Sequence, residues 1–316
     1  MGGILKLVFF GTPEFAVAPL EALLESQHEV IAVVTQPDRQ SGRGRRFHPC
    51  PVKAAAEEAG LEVLQPRRVI EPEFMNKLKQ LNPSLIVVVA YGQIFSRTLL
   101  DIPSRGFINV HSSLLPAYRG AAPINRSLIN GDTETGVTIM LLDEGMDTGD
   151  ILLQGATSIL ADENASMLHD RLAGLGAKLL GKTLDMLRSG SWSPVPQNHE
   201  QATYAPMLKK KDGLILWDRD ARSIANQVRG MTPWPGCYTY LQGKLLKIHW
   251  AVPVEREAGV PPGKIISASQ KGIEVATGKG SLLIKDVQLE GKKKMATEDF
   301  LKGHRLASGE EFTATR

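Results

Sequence analysis

An asparagine and a histidine two residues apart, Asn109 and His111, close the apolar run Phe107-Ile108-Asn109-Val110-His111. In an extended strand successive side chains alternate between faces, so both polar groups point the same way near the strand's C-terminal end. An amide N–H can donate to an oxygen that gains charge during addition to a carbonyl, and an imidazole can exchange a proton near neutral pH or stabilise charge as imidazolium. The pair therefore suits a tetrahedral intermediate at a carbonyl carbon. It also suits a hydrogen-bonded structural role, the commoner use of buried polar groups. A second segment weighs toward chemistry. Asp143-Glu144-Gly145-Met146-Asp147-Thr148-Gly149-Asp150 holds four carboxylates, with glycines that permit tight turns, directly after an apolar run. A carboxylate from this loop can orient His111, or collect through water the proton that an attacking amine releases.

The elements that must position these groups are legible as an alternation. Residues 4–10, 30–35, 85–90, 107–110 and 137–142 are short runs rich in Val, Ile and Leu, the pattern of buried strands. Between them, residues 13–24, 52–58 and 71–81 have helical character, each with a proline near its first turn, where a missing N–H is harmless. The series predicts a βαβ arrangement, a doubly wound and mostly parallel α/β sheet. Gly11-Thr12-Pro13 follows the first strand where a dinucleotide-binding fold carries its phosphate turn, but the sequence lacks G-x-G-x-x-G, so NAD binding is disfavoured and a plain strand-to-helix turn is expected.

A further helix fits residues 166–188, after which Ser189-Gly190-Ser191-Trp192-Ser193-Pro194-Val195-Pro196 stops it. Beyond residue 209 the pattern changes to short apolar runs punctuated by glycine, at 238–241, 245–252, 264–268, 272–276 and 281–289, which favours a small OB-like β barrel or sandwich. The expected organisation is a catalytic α/β domain over residues 1–190, a linker over 191–208 and a basic β-barrel domain over 209–316. Two domains also suit the length of 316 residues. The longest apolar runs are far short of the ~20 residues that cross a bilayer. The two cysteines, Cys50 and Cys237, form neither a disulfide framework nor a C-x-x-C motif, which suits a reducing cytoplasm. Charge is divided unevenly: residues 1–206 carry 18 Lys and Arg against 22 Asp and Glu, while residues 207–316 carry 19 against 12. The basic half fits either a polyanion-facing surface or a solvated one without a partner.

These blocks together resemble the folate-dependent formyltransferases. The likeness rests on Val88-Val89-Ala90-Tyr91-Gly92, on the stretch from Asn109 to Pro116, on Tyr118-Arg119-Gly120-Ala121-Ala122-Pro123-Ile124 and on Asp147-Thr148-Gly149-Asp150, and it runs nearly end to end. Thr35-Gln36-Pro37-Asp38-Arg39 with Gly42-Arg43-Gly44, Trp234-Pro235 and the segment from Asp299 to Gly303 resemble the members that act on tRNA rather than on small amines. The resemblance implies 10-formyltetrahydrofolate as donor, the α-amino group of methionine on initiator tRNA as acceptor, and no metal. It makes Asn109, His111 and Asp147 the catalytic set, with Asn109 and protonated His111 at the oxyanion and Asp147 holding His111. It maps the folate site onto Ser113, Leu114, Leu115 and Pro116, with Ala90, Tyr91, Gly92, Gln93 and Ile94 and also Leu142 as neighbours of the pterin. Leu114 and Leu115 equally fit simple core packing. The basic loop tips toward the acceptor stem: Arg39, Arg43, Arg45 and Arg46 are the candidates, Arg43 foremost, joined by Lys209, Lys210 and Lys211 and more weakly by residues 292–294.

By residue types alone the loop between Asp38 and Arg46 reads as a mobile basic segment. Two departures from the family pattern stand out: Ser112 where relatives often carry Gly or Ala, and Phe47-His48-Pro49-Cys50 after the loop. Neither touches the proton chemistry, and His48 has no second His or Cys at metal-site spacing. Two other readings stay open, a formyltransferase for a small amine such as a sugar nucleotide or glycinamide ribotide, and a nucleic-acid-binding module with a degenerate α/β domain. A monomer in the cytoplasm is expected.

Overall fold

A computed structural model describes residues 3–41 and 46–315. The chain divides into two compact units, one formed by Met1–Pro123, Glu134–Ser158 and His169–Ala205, the other by Ile124–Thr133, Ile159–Leu168 and Pro206–Arg316. Residues 191–205 of the expected linker thus belong to the first unit.

The first sheet is built from β1 (Lys6–Gly11), β2 (Glu29–Val34), β5 (Val63–Leu64), β6 (Leu85–Val89), β7 (Phe107–His111), β8 (Glu134–Leu141) and β9 (Ile151–Ser158); a two-stranded ribbon of β3 (Arg39–Ser41) and β4 (Arg46–His48) stands apart from it. The helices are α1 (Val17–Leu24), α2 (Pro51–Glu58), α3 (Pro72–Leu81), α4 (Arg97–Leu100), α5 (Pro123–Asn130) and α6 (Ala165–Ser189). Pro51 and Pro72 sit in the first turn of α2 and α3, as expected from their positions. The strand order is β5-β2-β1-β6-β7-β8-β9. Every residue of β6 and β7 is buried; β6 is accordingly apolar without alternation, while β7 sets Asn109 and His111 among its apolar residues.

The parallel series ends at β7. β8 runs antiparallel to β7, and β9 antiparallel to β8. The run at 137–142 is therefore not a further strand of the parallel set, because β8 and β9 form a hairpin around the acidic segment. β9 is an edge strand with one solvated face, and it escapes the expectations because its large apolar residues stop at Leu153, before Gln154 and Gly155. The segment expected as a mobile loop instead has a backbone with antiparallel pairs Arg39↔His48, Gln40↔Phe47 and Ser41↔Arg46.

One core cluster fills the face beneath the site. Phe10 of β1 meets Tyr91 edge-on at 5.1 Å and Phe95 at 5.7 Å between ring centroids, with Phe74 and Phe107 around them. On α6, Gly176 gives room for Val110 of β7, whose Cγ1 would stand 2.9 Å from an added Cβ.

The second unit contains α7 (Ala221–Met231), β10 (Cys237–Leu241), β11 (Lys244–Val254), β12 (Ile265–Ser269), β13 (Gly272–Ala276), β14 (Ser281–Leu289), β15 (Met295–Ala296), α8 (Thr297–Gly303) and β16 (Phe312–Thr313). The strands follow the order β12-β13-β14-β11-β10-β16, all antiparallel, with β15 on β14. A bridge between Lys264 and Glu311 brings the two ends of this order together, giving the OB-like half-barrel. Leu246, Ile248, Ile273, Val275, Leu282, Ile284 and Val287 are fully buried in it. Trp217 stacks on Phe312 and donates its indole N–H to Thr239 Oγ1 at 3.0 Å. α7, absent from the expected run of short strands, starts at an Asp220 cap that accepts from the Ser223 N–H at 2.9 Å.

Candidate active site

Asn109 and His111 share one face of β7, beside Met140 and Thr138 of β8. On the other side Asn109 pairs with Val88 of β6, so the residues that follow β6, Ala90 to Ile94, emerge alongside the Asn109–His111 end of the strand. Both side chains are almost wholly buried. Among the described residues nothing is hydrogen-bonded to the Asn109 amide. Its small exposed fraction is thus free to meet a ligand.

The acidic loop brings the third group. His111 Nδ1 stands 3.6 Å from Asp147 Oδ1. His111 Nε2 lies 3.0 Å from the Tyr118 carbonyl oxygen, which can only accept, so that nitrogen carries a proton. Both ring nitrogens face acceptor oxygens; an imidazolium donates toward both, a neutral ring to one. The other oxygen of Asp147, Oδ2, accepts the Gly120 N–H at 2.8 Å. Asp147 and Tyr118 each hold a left-handed backbone, with φ of 55° and 62°. Non-glycine residues are placed there at a cost of about 1–3 kcal/mol each, sustained where the surroundings over-determine the conformation.

Those surroundings are specific. Asp143 Oδ1 accepts from the Gly145 N–H at 2.9 Å and from the Thr148 hydroxyl at 2.6 Å, closing the loop on itself. Gly149 lies so close to Leu141 that an added methyl would overlap its carbonyl oxygen. From the far side Gln197 donates to the carbonyls of Asp147 at 3.0 Å and Gly149 at 2.7 Å. The Gln197 amide oxygen in turn accepts from Arg119, Nε at 3.1 Å and Nη2 at 2.6 Å.

The expected folate residues divide by their commitments. Ser113 is fully buried and its hydroxyl donates to the Ala117 carbonyl at 2.6 Å. The Leu115 side chain is buried, its N–H bonded to Thr138 Oγ1 and its carbonyl to Gln154. Leu114 and Pro116 are half-buried. After β6, Ala90 and Gly92 are exposed in left-handed conformations and Ile94 is 82% exposed. Tyr91 lies in the aromatic core, where burial pushes its phenol well above the ordinary range and leaves its oxygen without a partner. Gln93 bridges the Val69 N–H and the Arg67 carbonyl, and Leu142 packs half-buried on the core.

Of the expected tRNA residues, Lys209, Lys210 and Lys211 are exposed in the second unit, in and beside a 3-10 turn held by the Lys209 N–H to Asp212. Arg39 and Arg46 are placed only by their backbones in β3 and β4, and Arg43 and Arg45 lie outside the described residues. Gln197 sits in the proline-rich stretch that reads from sequence as a mere connection. Tyr118, Arg119 and Gly120 form a family-like block that carries no evident task by residue type. Only spatial proximity reveals their part, for no periodicity links residues 119, 147 and 197.

Comparison with known proteins agrees with this architecture. The profile of the formyl transferase family matches residues 5–184, and that of the formyl transferase C-terminal domain matches residues 207–305. The chain belongs to the formyl transferase family. It is 55% identical to the methionyl-tRNA formyltransferase of Citrifermentans bemidjiense, over 96% of this chain and 95% of that protein. It is 53% identical to the protein of the same name from Geobacter sulfurreducens, over 96% of each chain. Among solved structures, the N-formyltransferase from Helicobacter canadensis in complex with folinic acid and dTDP-3-aminofucose superposes with a TM-score of 0.69, over 92% of this chain and 100% of that one. At 18% identity that likeness speaks for the formyl transferase fold alone.

Proposed function

We propose that this chain transfers the formyl group of 10-formyltetrahydrofolate to the α-amino group of methionine on initiator tRNA, giving N-formylmethionyl-tRNA for translation initiation. The observation that carries the reading is the end-to-end match, at 55% identity, to a protein of that activity. The donor supplies an activated formyl carbon. The Asn109 amide, without a partner among the described residues, donates to the formyl oxygen as the amine adds and charge builds there. His111 flanks the same carbon on the same strand face and stabilises that charge, while Asp147 orients its ring and receives the proton that the amine sheds; as the tetrahedral intermediate collapses, the bond from the formyl carbon to N10 breaks, N10 takes up that proton and tetrahydrofolate leaves. No step needs a metal, and among the described residues no group of three or more His, Cys, Asp and Glu is placed to hold one.

The edge beyond β6 and β7 has the character a pterin needs. Ala90, Gly92 and Ile94 offer exposed backbone and an apolar side chain next to Asn109, and Leu142, Leu114 and Pro116 are half-buried. Ser113 and Leu115 shape the turn, their polar groups already bonded. The tRNA is held by Lys and Arg: the residues 39–46 segment, with Arg39, Arg43, Arg45 and Arg46, and Lys209, Lys210 and Lys211. The excess of cations beyond residue 207 favours a polyanionic acceptor over a small amine. No helix among the described residues is long and apolar enough to cross a membrane. Two free cysteines agree with work in the cytoplasm.

The test is an assay of the purified chain with 10-formyltetrahydrofolate and methionyl initiator tRNA, following tetrahydrofolate release and blocking of the methionyl amine. Stoichiometric appearance of both is the expected result. Tetrahydrofolate release with a sugar nucleotide or glycinamide ribotide, but not with the charged tRNA, would move the acceptor to the small-amine class.

A further inference from the structure

A buried cation stands beside the site without a carboxylate. Arg119 is 2% exposed, and among the described residues no Asp or Glu oxygen lies within ion-pair distance of its guanidinium. Its side-chain bonds go to the Gln197 amide oxygen, twice, and to His199 Nδ1 at 3.0 Å. A buried charge is costly unless hydrogen bonds offset the lost hydration, and apolar residues fill such space at least as well for stability alone. The arrangement is better understood by what the guanidinium fixes.

Guanidinium groups only donate. Facing one, Gln197 must turn its oxygen toward Arg119 and its NH2 the other way, where two carbonyls, of Asp147 and Gly149, can only accept. All four hydrogen-bonding positions of one amide are thus filled with a single permitted orientation. The effect is to clamp the backbone on either side of Thr148 and with it the left-handed Asp147. The backbone next to Arg119 closes the other side. Its predecessor Tyr118 gives the carbonyl that meets His111 Nε2, and its successor Gly120 gives the N–H that meets Asp147 Oδ2. One buried arginine therefore anchors a segment that touches both His111 and Asp147, and through Gln197 it also grips the loop carrying Asp147.

We infer that Arg119 and Gln197 are positioning residues for the transfer, setting the Asp147 carboxylate against the His111 ring without touching substrate. The inference rests on the formyl-transfer reading above and adds to it a reason for the buried pair. Because they act through Asp147, their loss should not add to the loss of Asp147 itself.

The experiment measures single-turnover formylation of methionyl initiator tRNA, KM for both substrates and thermal midpoint, for the full chain and for Gln197→Leu, Gln197→Glu, Asp147→Asn and the double variant Gln197→Leu/Asp147→Asn. Displacing a catalytic group by about 1 Å costs on the order of 10²-fold in rate, so Gln197→Leu should slow transfer by roughly that factor with both KM values preserved. The double variant should be no slower than Asp147→Asn alone. Gln197→Glu keeps the bonds from Arg119, gains an ion pair with it and turns a carboxylate oxygen against the two carbonyls; it should fold and still be slow, and it carries the comparison if Gln197→Leu is unstable. An active wild-type chain with undiminished rates in the Gln197 variants, or losses that multiply in the double variant, would overturn this inference alone. An inactive wild-type chain would overturn the formyl-transfer reading beneath it.

Discussion

Two polar connections between antiparallel strands, one in each unit, are built on opposite plans. The segment at 142–150 joins β8 to β9, and the groups that set Asp147 are bonded on several sides: Asp143 with Gly145 and Thr148, Asp147 with Gly120 and His111, two carbonyls with Gln197. The turn at 290–294 leads from β14 to β15 and carries Lys292, Lys293 and Lys294, all exposed. Only Lys294 is in an ion pair, with Asp286 at 2.8 Å, and among the described residues the ammonium groups of Lys292 and Lys293 have none. Group transfer needs atoms held to a fraction of an ångström, which takes directional bonds on all sides. Attraction to phosphate falls off gently with distance, so long exposed side chains serve it without being fixed. Under the proposed function, the difference between the loops matches the different interactions each would make.

Breaking the fixed loop should therefore cost far more per residue than thinning the loose one. The largest losses belong to His111→Ala and Asp147→Asn: positioned acid–base groups contribute roughly 10²–10⁴-fold. Turnover should fall by about that much while tRNA retention on a filter stays at the wild-type level. Next comes Gly149→Ala. Its methyl has to displace the Leu141 carbonyl, and the resulting shift of Asp147 should lower kcat by on the order of 10²-fold with tRNA affinity unchanged. A Gly149→Ala chain with normal kcat would show that the loop tolerates displacement and would dissolve the contrast. The smallest effect is expected for Lys292→Ala with Lys293→Ala. Affinity for tRNA should drop by a few-fold, with the salt dependence flattened by about one unit of slope for each phosphate no longer neutralised, and kcat at saturation unchanged.

How far the sequence reveals this division depends on whether a feature is periodic. β1 and β6 read as apolar runs because both faces of a central parallel strand are buried, and Pro51 and Pro72 mark helix starts without any knowledge of the fold. Asn109 and His111 fall on one face by strand period alone, and the glycines and carboxylates around Asp147 announce a turn. β9 is hidden because its large apolar residues stop at Leu153, whereas α7 is legible, with Ile224, Ala225, Val228 and Met231 at helical spacing behind Asp220, and only the expectation of an all-β domain passes over it. The antiparallel turn of the sheet at β8 follows from the hairpin, which no local composition states. Gln197 is illegible for a different reason. A glutamine becomes a clamp only by what surrounds it, and Arg119, Asp147 and Gly149 are 48 to 78 residues away along the chain.

The proposed reaction asks Asn109 to meet the reacting carbonyl, and its amide has no competing protein partner among the described residues. The most direct measurement is single-turnover formylation of methionyl initiator tRNA from 10-formyltetrahydrofolate by Asn109→Ala, with tRNA and tetrahydrofolate binding determined on the same preparation. Loss of one oxyanion donor predicts a rate lower by about 10²–10³-fold with both affinities retained. A rate equal to the wild-type chain's, with binding intact, would place the chemistry elsewhere in the molecule.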